Sequence, residues 1–386
     1  MPTLELVLAG MLARAADPAA ARRGWDRLQS VASAAVRQAL GRDAALAEAL
    51  LAIFSVSEHL SETLLQSPDL VLWLDDARRQ NRGRNHEDWT AALDEFTRGL
   101  GSGERERTQA LARFQRREYL RIVLRDLHGD ATLAETTQEL SHLADALLER
   151  AYAWAWNDLA ERFGTPQDGS GAGAEMAVLG LGKLGGEELN YSSDIDLMFL
   201  YSAPGTTAGG AAATTNREFF SRMAQSVVQY VSRVTAEGRA YRVDLRLRPG
   251  GREGEVVLPL EAAVEYYRGA AREWELQMLI RARGCAGSAA LAQQFLAEVV
   301  PRVYPQRPEE NELVEAVRES RRRIQAEMGR HRASGRRRGI DVKLDPGGIR
   351  DIEFLTQALQ RRYGGAEPWV RAGNTRVGLQ RLLDKG

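Results

Sequence analysis

The segment Met176–Tyr201 limits the fold more than any other stretch of the chain. Met176-Ala177-Val178-Leu179 is a short apolar run of the kind that fits a buried strand, and Asp194–Tyr201 (DIDLMFLY) reads as a second. Between them come glycines at 180, 182, 185 and 186, which break any regular element. Residues 204–215 form a Gly/Ala/Thr loop and 216–236 read as an amphipathic helix. Tyr241–Arg248 (YRVDLRLR) then alternates as a third strand. A small mixed sheet with a helix is therefore expected, an α+β core.

On both sides of this core the chain reads as helix. Alanine, leucine, arginine and glutamate dominate residues 1–165, with apolar spacings of three and four as in Val36-Leu40 and Leu140-Leu143-Leu147. Breakers are local: Asp17-Pro18, Ser67-Pro68-Asp69 and Gly99–Gly103. Gly164-Thr165-Pro166 and the Gly/Ser/Ala stretch 169–174 mark the change of character. After Pro259, helices are expected over 260–285 and 309–331, with an island at Ile340–Phe354 leading into a last helical region. Three regions follow: a helical one over 1–165, the α/β core over 166–260, and a mainly helical one over 261–386 whose motif 340–354 returns to the active site. No fixed-period repeat marks a solenoid.

Bulk properties exclude several classes. A chain of 386 residues with 44% hydrophobic and 27% charged content matches a soluble globular protein. Its formal net charge of −1 gives no global attraction to nucleic acid or to an anionic membrane, so neither is an expected partner. The basic runs Arg321–Arg323 and Arg336–Arg338 read as solvated faces or loops. Cys285 is the only cysteine, which rules out an intramolecular disulfide and fits a small buried residue. The N-terminus has no basic region followed by a long apolar run, and no run of about 18 apolar residues occurs, so the cytoplasm is the expected location.

The chemistry is concentrated in the predicted strands. In a strand, residues i and i+2 share a face about 7 Å apart, so Asp194 and Asp196 project together. Paired carboxylates repel and are costly to bury without a cation. Hard divalent ions such as Mg²⁺ take one or two carboxylates plus substrate phosphate oxygens. On the next predicted strand, Asp244, Arg246 and Arg248 share a face by the same rule. The two arginines suit bidentate contact with phosphate, or simple pairing with the aspartates. Gly180–Gly185 (GLGKLG) formally matches the dinucleotide fingerprint, but residues 199–204 lack the acid that fingerprint needs, and Lys183 is followed by leucine, which excludes a P-loop. A glycine turn suited to phosphate remains, with Lys183 as counter-charge. Together with the three aspartates it points to nucleotidyl or phosphoryl transfer.

Four ordered blocks then carry a resemblance. They are Gly180–Phe199 (GLGKLGGEELNYSSDIDLMF), Val243–Pro249 (VDLRLRP), Trp274-Glu275 with Arg281-Ala282-Arg283, and Val342–Phe354 (VKLDPGGIRDIEF). The chain resembles the bifunctional glutamine synthetase adenylyltransferase/adenylyl-removing enzymes, over residues 170–365 in particular. Members of that family carry two homologous nucleotidyltransferase domains, and the single signature set here resembles one of them. Asn190–Asp194 and the arginine of Gly348-Ile349-Arg350 resemble the N-terminal, adenylyl-removing half.

The resemblance implies a polymerase-β-like nucleotidyltransferase core using Mg²⁺ or Mn²⁺. The reaction it implies is phosphorolysis of a tyrosyl-AMP bond on adenylylated glutamine synthetase. Orthophosphate is consumed, ADP is released, and the active enzyme of nitrogen assimilation is restored. It further implies that Asp194, Asp196 and Asp244 hold metal, that Gly185, Gly186, Ser192 and Ser193 line the phosphate turn, and that Lys183, Arg246, Arg248, Lys343 and Arg350 meet phosphate or nucleotide. The signal protein PII and its uridylylated form are implied partners. Two other functions stay open: adenylylation of glutamine synthetase from ATP, and a PII-sensing module without activity of its own. Gly347-Gly348 is either an ordinary turn, with Asp351 near a helix N-terminus, or a nucleotide contact. Trp274, Glu275 and Glu353 are open between packing and catalysis.

Overall fold

The computed structural model describes residues 4–306, 315, 317–318, 321–322 and 341–385. Most of the helix expected at 309–331, together with Arg323, Arg336–Arg338 and Ile340, lies outside the described residues. The chain divides into two compact units, one of residues 1–146 and 230–240, the other of 147–229 and 241–386.

The first unit is helical. It contains α1 (Leu4–Arg14), α2 (Pro18–Val31), α3 (Ala34–Arg42), α4 (Ala44–Val56), α5 (Glu58–Gln66), α6 (Leu70–Gln80), α7 (His86–Thr97) and α8 (Glu104–His128). It also takes the first part of α9 (Leu133–Phe163). Five of the short helices begin where a side chain takes up orphan backbone N–H groups. Asp17, Ser33, Asp43 and Ser57 cap α2 to α5, and Asn85 forms a capping box with Asp88 on α7. Val36, Leu40, Leu140 and Leu143 are all buried, as their spacing predicts. Gly24 lets α2 approach α4 closely, since a Cβ there would lie 2.5 Å from the Phe54 ring.

The second unit holds the sheets. β1 (Gly164–Asp168) pairs antiparallel with β4 (Gly205–Gly209). A five-stranded mixed sheet runs β5 (Val243–Asp244), β3 (Ile195–Tyr201), β2 (Met176–Leu181), β7 (Arg283–Gly287), with β6 (Val257–Pro259) also on β3. β2 pairs antiparallel with β3 and with β7, while β5 and β6 run parallel to β3. Every residue of β2 is buried, which is why its sequence is a continuous apolar run without alternation. On one face Leu179, Leu181, Met198 and Leu200 join a core with Tyr267 from α12 (Leu260–Gly269) and Phe295 from α14 (Ala289–Val303). Among the described residues this unit also holds the one-turn α10 (Gly182–Gly185), α11 (Asn216–Ser232), α13 (Glu273–Met278), α15 (Ile349–Tyr363) and α16 (Thr375–Leu383).

The α+β expectation holds for the described residues, and several elements differ in extent. The second strand starts at Ile195, one residue after Asp194. The third expected strand shrinks from Tyr241–Arg248 to Val243–Asp244. There the Asp244 carboxylate accepts the Arg246 backbone N–H (2.8 Å), a local bond that competes with the sheet ladder. The 260–285 region divides into α12, α13, a 3-10 turn at Leu279–Arg281 and then β7, because β2 offers a free edge that a strand completes. Within the Gly/Ala/Thr loop, Gly205–Gly209 pairs with the break at Gly164. Cys285 is buried in β7, where its thiol donates to Val178 O (3.4 Å).

Candidate active site

The site forms where β3 begins beside β5. Parallel pairing puts Ile195 opposite Val243 and Asp196 opposite Asp244. Two carboxylates are thus adjacent on neighbouring strands by register alone. Asp196 is also tied to the glycine turn: Gly182 has φ +54°, and a Cβ on it would lie 2.4 Å from Asp196 Oδ2. Only glycine meets both demands.

The three aspartates sit in different electrostatic settings. Asp194 is exposed and pairs with Arg242, which also donates to Ser192 O (2.9 Å). Asp244 accepts from Arg246 Nε at 2.9 Å and 2.7 Å on its two oxygens. Desolvation works to raise the Asp244 carboxyl, but the hydrogen bonds from Arg246 outweigh it and hold the group below the usual carboxylate range. Asp196 is the exception. Burial, then the charges of Asp244 and Asp194, push it from an ordinary 3.8 to about 7, while Arg350 and Arg246 pull the other way. Among the described residues, no cation lies within ion-pair distance of Asp196.

Cations gather nearby without closing on it. Lys183, in α10, has its pKa lowered by desolvation first and then by Lys343, with Arg350 and Arg281 adding to the effect and Glu353 opposing it. Lys183, Lys343, Arg350 and Asp196 therefore share one electrostatic neighbourhood, although Lys343 and Arg350 come from far along the chain. Lys343 belongs to a turn in which Asp341 Oδ1 accepts the N–H groups of Lys343 (3.0 Å) and Leu344 (3.1 Å). Arg350 is the second residue of α15, where Asp351 accepts the Gly347 N–H (2.8 Å) near the helix start.

Other expected site residues are engaged locally. Arg248 stitches the 245–254 loop, donating to Leu245 O (2.6 Å) and, through Nε, to Gly254 O (3.1 Å). The N–H groups of Gly186 and Glu188 turn back onto Gly182 O (3.1 Å) and Lys183 O (2.8 Å). Gly185 packs so tightly that a Cβ would lie 1.8 Å from Arg281 O. The glycines of this turn thus serve close backbone packing. The Ser193 hydroxyl donates to Asn190 Oδ1 (2.7 Å), which also takes the Ser192 N–H (3.3 Å). Glu275 is buried and accepts from Tyr266 OH (2.6 Å) and the Arg272 N–H (2.9 Å), a capping and packing role.

Two features escape a reading of the sequence by itself. Arg242, opposite Asp194 in the parallel register, needs that register to be found, although it lies two residues before Asp244 on the same predicted strand face. The buried cluster of Glu188, Arg281, Glu353 and Thr375 joins segments nearly two hundred residues apart and has no local signal.

The glutamate-ammonia ligase adenylyltransferase family model matches residues 47–298, which include Lys183, the three aspartates and Arg281. The chain belongs to this family. Over 337 residues it is 34% identical to a bifunctional glutamine synthetase adenylyltransferase/adenylyl-removing enzyme of Hahella chejuensis, covering 87% of this chain and 34% of that protein. A relative of the same name from Pseudomonas aeruginosa is 41% identical over 267 residues, 68% of this chain and 26% of the relative. The chain thus spans about a third of the length of the curated relatives it matches. A PII-uridylyltransferase family model matches residues 318–386, which contain Lys343, Arg350 and Glu353. Among the described residues no helix is long and apolar enough to cross a membrane.

Proposed function

We propose that this chain removes AMP from adenylylated glutamine synthetase through a polymerase-β-like nucleotidyltransferase core. The observation that carries the reading is Asp196, partly buried in register with Asp244 and matched by no ion-paired cation among the described residues. Like charges gathered this way gain nothing structurally, and a site for a positively charged or metal-bound ligand accounts for them. Membership of the family supports the substrate class, and the Asn190–Asp194 and Gly348-Ile349-Arg350 segments support the removing direction.

The residues fit a hard divalent ion such as Mg²⁺ or Mn²⁺. Among the described residues no group of three or more His, Cys, Asp or Glu side chains is placed to hold a metal ion, so substrate phosphate oxygens and water would have to complete its shell. Asp196 and Asp244 would hold it, with Asp194 available once released from Arg242. When bound, it would supply Lewis-acid stabilisation of the phosphoryl oxygens.

In the reaction, an orthophosphate oxygen bonds to the AMP phosphorus while the phosphorus–oxygen bond to tyrosine breaks. ADP leaves, and the phenolate takes up a proton to regenerate tyrosine. Lys183, Lys343 and Arg350 neutralise the incoming phosphate, and Arg246 turns from Asp244 toward phosphate when that carboxylate is taken up. PII and its uridylylated form would set the direction, a role that the match to the PII-uridylyltransferase model supports.

Incubation with adenylylated glutamine synthetase, orthophosphate and Mg²⁺ should release ADP, and Asp196→Asn should not. Pyrophosphate release from ATP and unmodified glutamine synthetase, without ADP release in the first assay, would reverse the assigned direction.

A further inference from the structure

Arg281 is buried at the 3-10 turn Leu279–Arg281, and the reaction above makes no use of it. Its Nη2 lies 3.2 Å from Glu188 Oε2 and 3.2 Å from Glu353 Oε1, and it donates to Thr375 Oγ1. Thr375 in turn gives its backbone N–H to Glu188 Oε1 (2.6 Å) and its hydroxyl to Glu188 Oε2 (3.0 Å). One guanidinium therefore joins the glycine turn, through Glu188, to the start of α16 and to α15.

The division of Glu353 matters most. Its Oε1 is held by Arg281, and its Oε2 lies 3.6 Å from Arg350 Nη1. The positive charge of Arg350, with that of Arg246, also acts on Asp196. A buried carboxylate deprived of Arg281 would draw the nearest guanidinium into a two-oxygen fork, the strongest arrangement open to it. That guanidinium is Arg350.

We propose that Arg281 is a positioning residue: by occupying one oxygen of Glu353 it keeps Arg350 from closing on both, and so available to the phosphate that binds beside Asp196. The inference rests on the nucleotidyl-transfer reading of the Asp196 site. It assigns a function to the buried charge cluster that stability alone does not need, since apolar residues of similar volume hold a core as well.

The test is a suppressor experiment on the full chain with adenylylated glutamine synthetase, orthophosphate and Mg²⁺. Arg281→Gln should raise the KM for orthophosphate on the order of 10- to 100-fold, with a smaller change in kcat. Adding Glu353→Gln should return most of the loss, because a neutral Glu353 replacement no longer captures Arg350. A purely structural Arg281 predicts that Glu353→Gln recovers the melting temperature but not the KM for orthophosphate, and that result overturns the proposal. If Arg281→Gln does not fold, Arg281→Lys decides: it keeps the charge, but its shorter side chain stops short of the Nη2 position that meets both carboxylates, and an unchanged KM for orthophosphate overturns the proposal. A wild-type chain that releases no ADP would instead sink the functional reading on which it rests.

Discussion

The carboxylates at the start of β3 are treated unlike the buried glutamates of the helical unit. In the helical unit, Glu118 is fully buried and is met by Arg84 at 3.2 Å, Arg117 at 3.0 Å and Arg121 at 2.9 Å. Glu139 beside it takes Arg121 at 2.7 Å and Arg125 at 2.8 Å. That network closes on itself and ties the Arg82–Arg84 loop to α8 and α9. In the sheet unit, among the described residues, Asp194 pairs with Arg242 and Asp244 with Arg246, while Asp196 has no ion-paired cation. The contrast separates a charge that the fold has compensated from one left for a ligand.

The largest expected effect breaks that contrast at Asp196. Asp196→Asn should lower ADP release on the order of 10³-fold or more, read from initial rates, while the folded chain loses no stability. Glu118→Gln should do the reverse. It removes the carboxylate that three guanidiniums share and should cost about 3–5 kcal/mol in urea unfolding, while the rate per folded molecule changes little.

Gly182→Ala combines a positive φ with a Cβ 2.4 Å from Asp196 Oδ2. It should cost about 1–3 kcal/mol and also lower the rate, because the atom displaced is the carboxylate itself.

The pH dependence sharpens the same comparison. A folded pKa of about 7 against an ordinary 3.8 means that the folded chain binds more protons at Asp196 between those values. Its contribution to stability is therefore fully present below pH 4 and is lost as pH rises through 7. Melting temperatures of wild type and Asp196→Asn should draw apart as pH rises from about 4 to 7 and stay apart above it, with the variant the more stable. Added Mg²⁺ should raise the wild-type melting temperature more at pH 8 than at pH 5.5, since metal and proton compete for one carboxylate. Parallel wild-type and variant curves across this range would contradict the setting assigned to Asp196.

The smallest effect belongs to an exposed pair. Arg22→Ala removes the 2.9 Å contact with Asp26 on α2, where both side chains are more than half exposed, and should change stability by about 0.5 kcal/mol or less. A larger loss would mean that burial is the wrong axis for the comparison.

Much of the helical unit is legible because its cues are local. The spacing of Val36 and Leu40, the caps at Ser33, Asp43 and Ser57, and the breaker at Asp17-Pro18 all act within one or two turns. The strands β2 and β3 are legible for the same reason, as apolar runs ended by glycine and aspartate. Strand β7 is not, because Arg283-Gly284-Cys285-Ala286-Gly287 carries no strand signal and becomes one only against the free edge of β2. The expected strand Tyr241–Arg248 errs in the other direction. Its alternation is real, but Asp244 closes a local bond with Arg246 that the pattern does not weigh.

By itself, the sequence determined which residues carry charge into the core and how they are spaced: Asp194 and Asp196 two apart, a glycine at 182, and Arg350 three before Glu353. It also determined family membership, since ordered blocks survive without any knowledge of contacts. Only the tertiary structure decided which of those charges are satisfied. The pairing of Asp196 with Asp244, the diversion of Arg248 to the carbonyls of its own loop, and the meeting of Arg281 with Glu188 and Glu353 depend on strand register and on segments distant in the chain. Electrostatic energy depends on distance and burial, and neither is a property of a residue until the chain has folded around it.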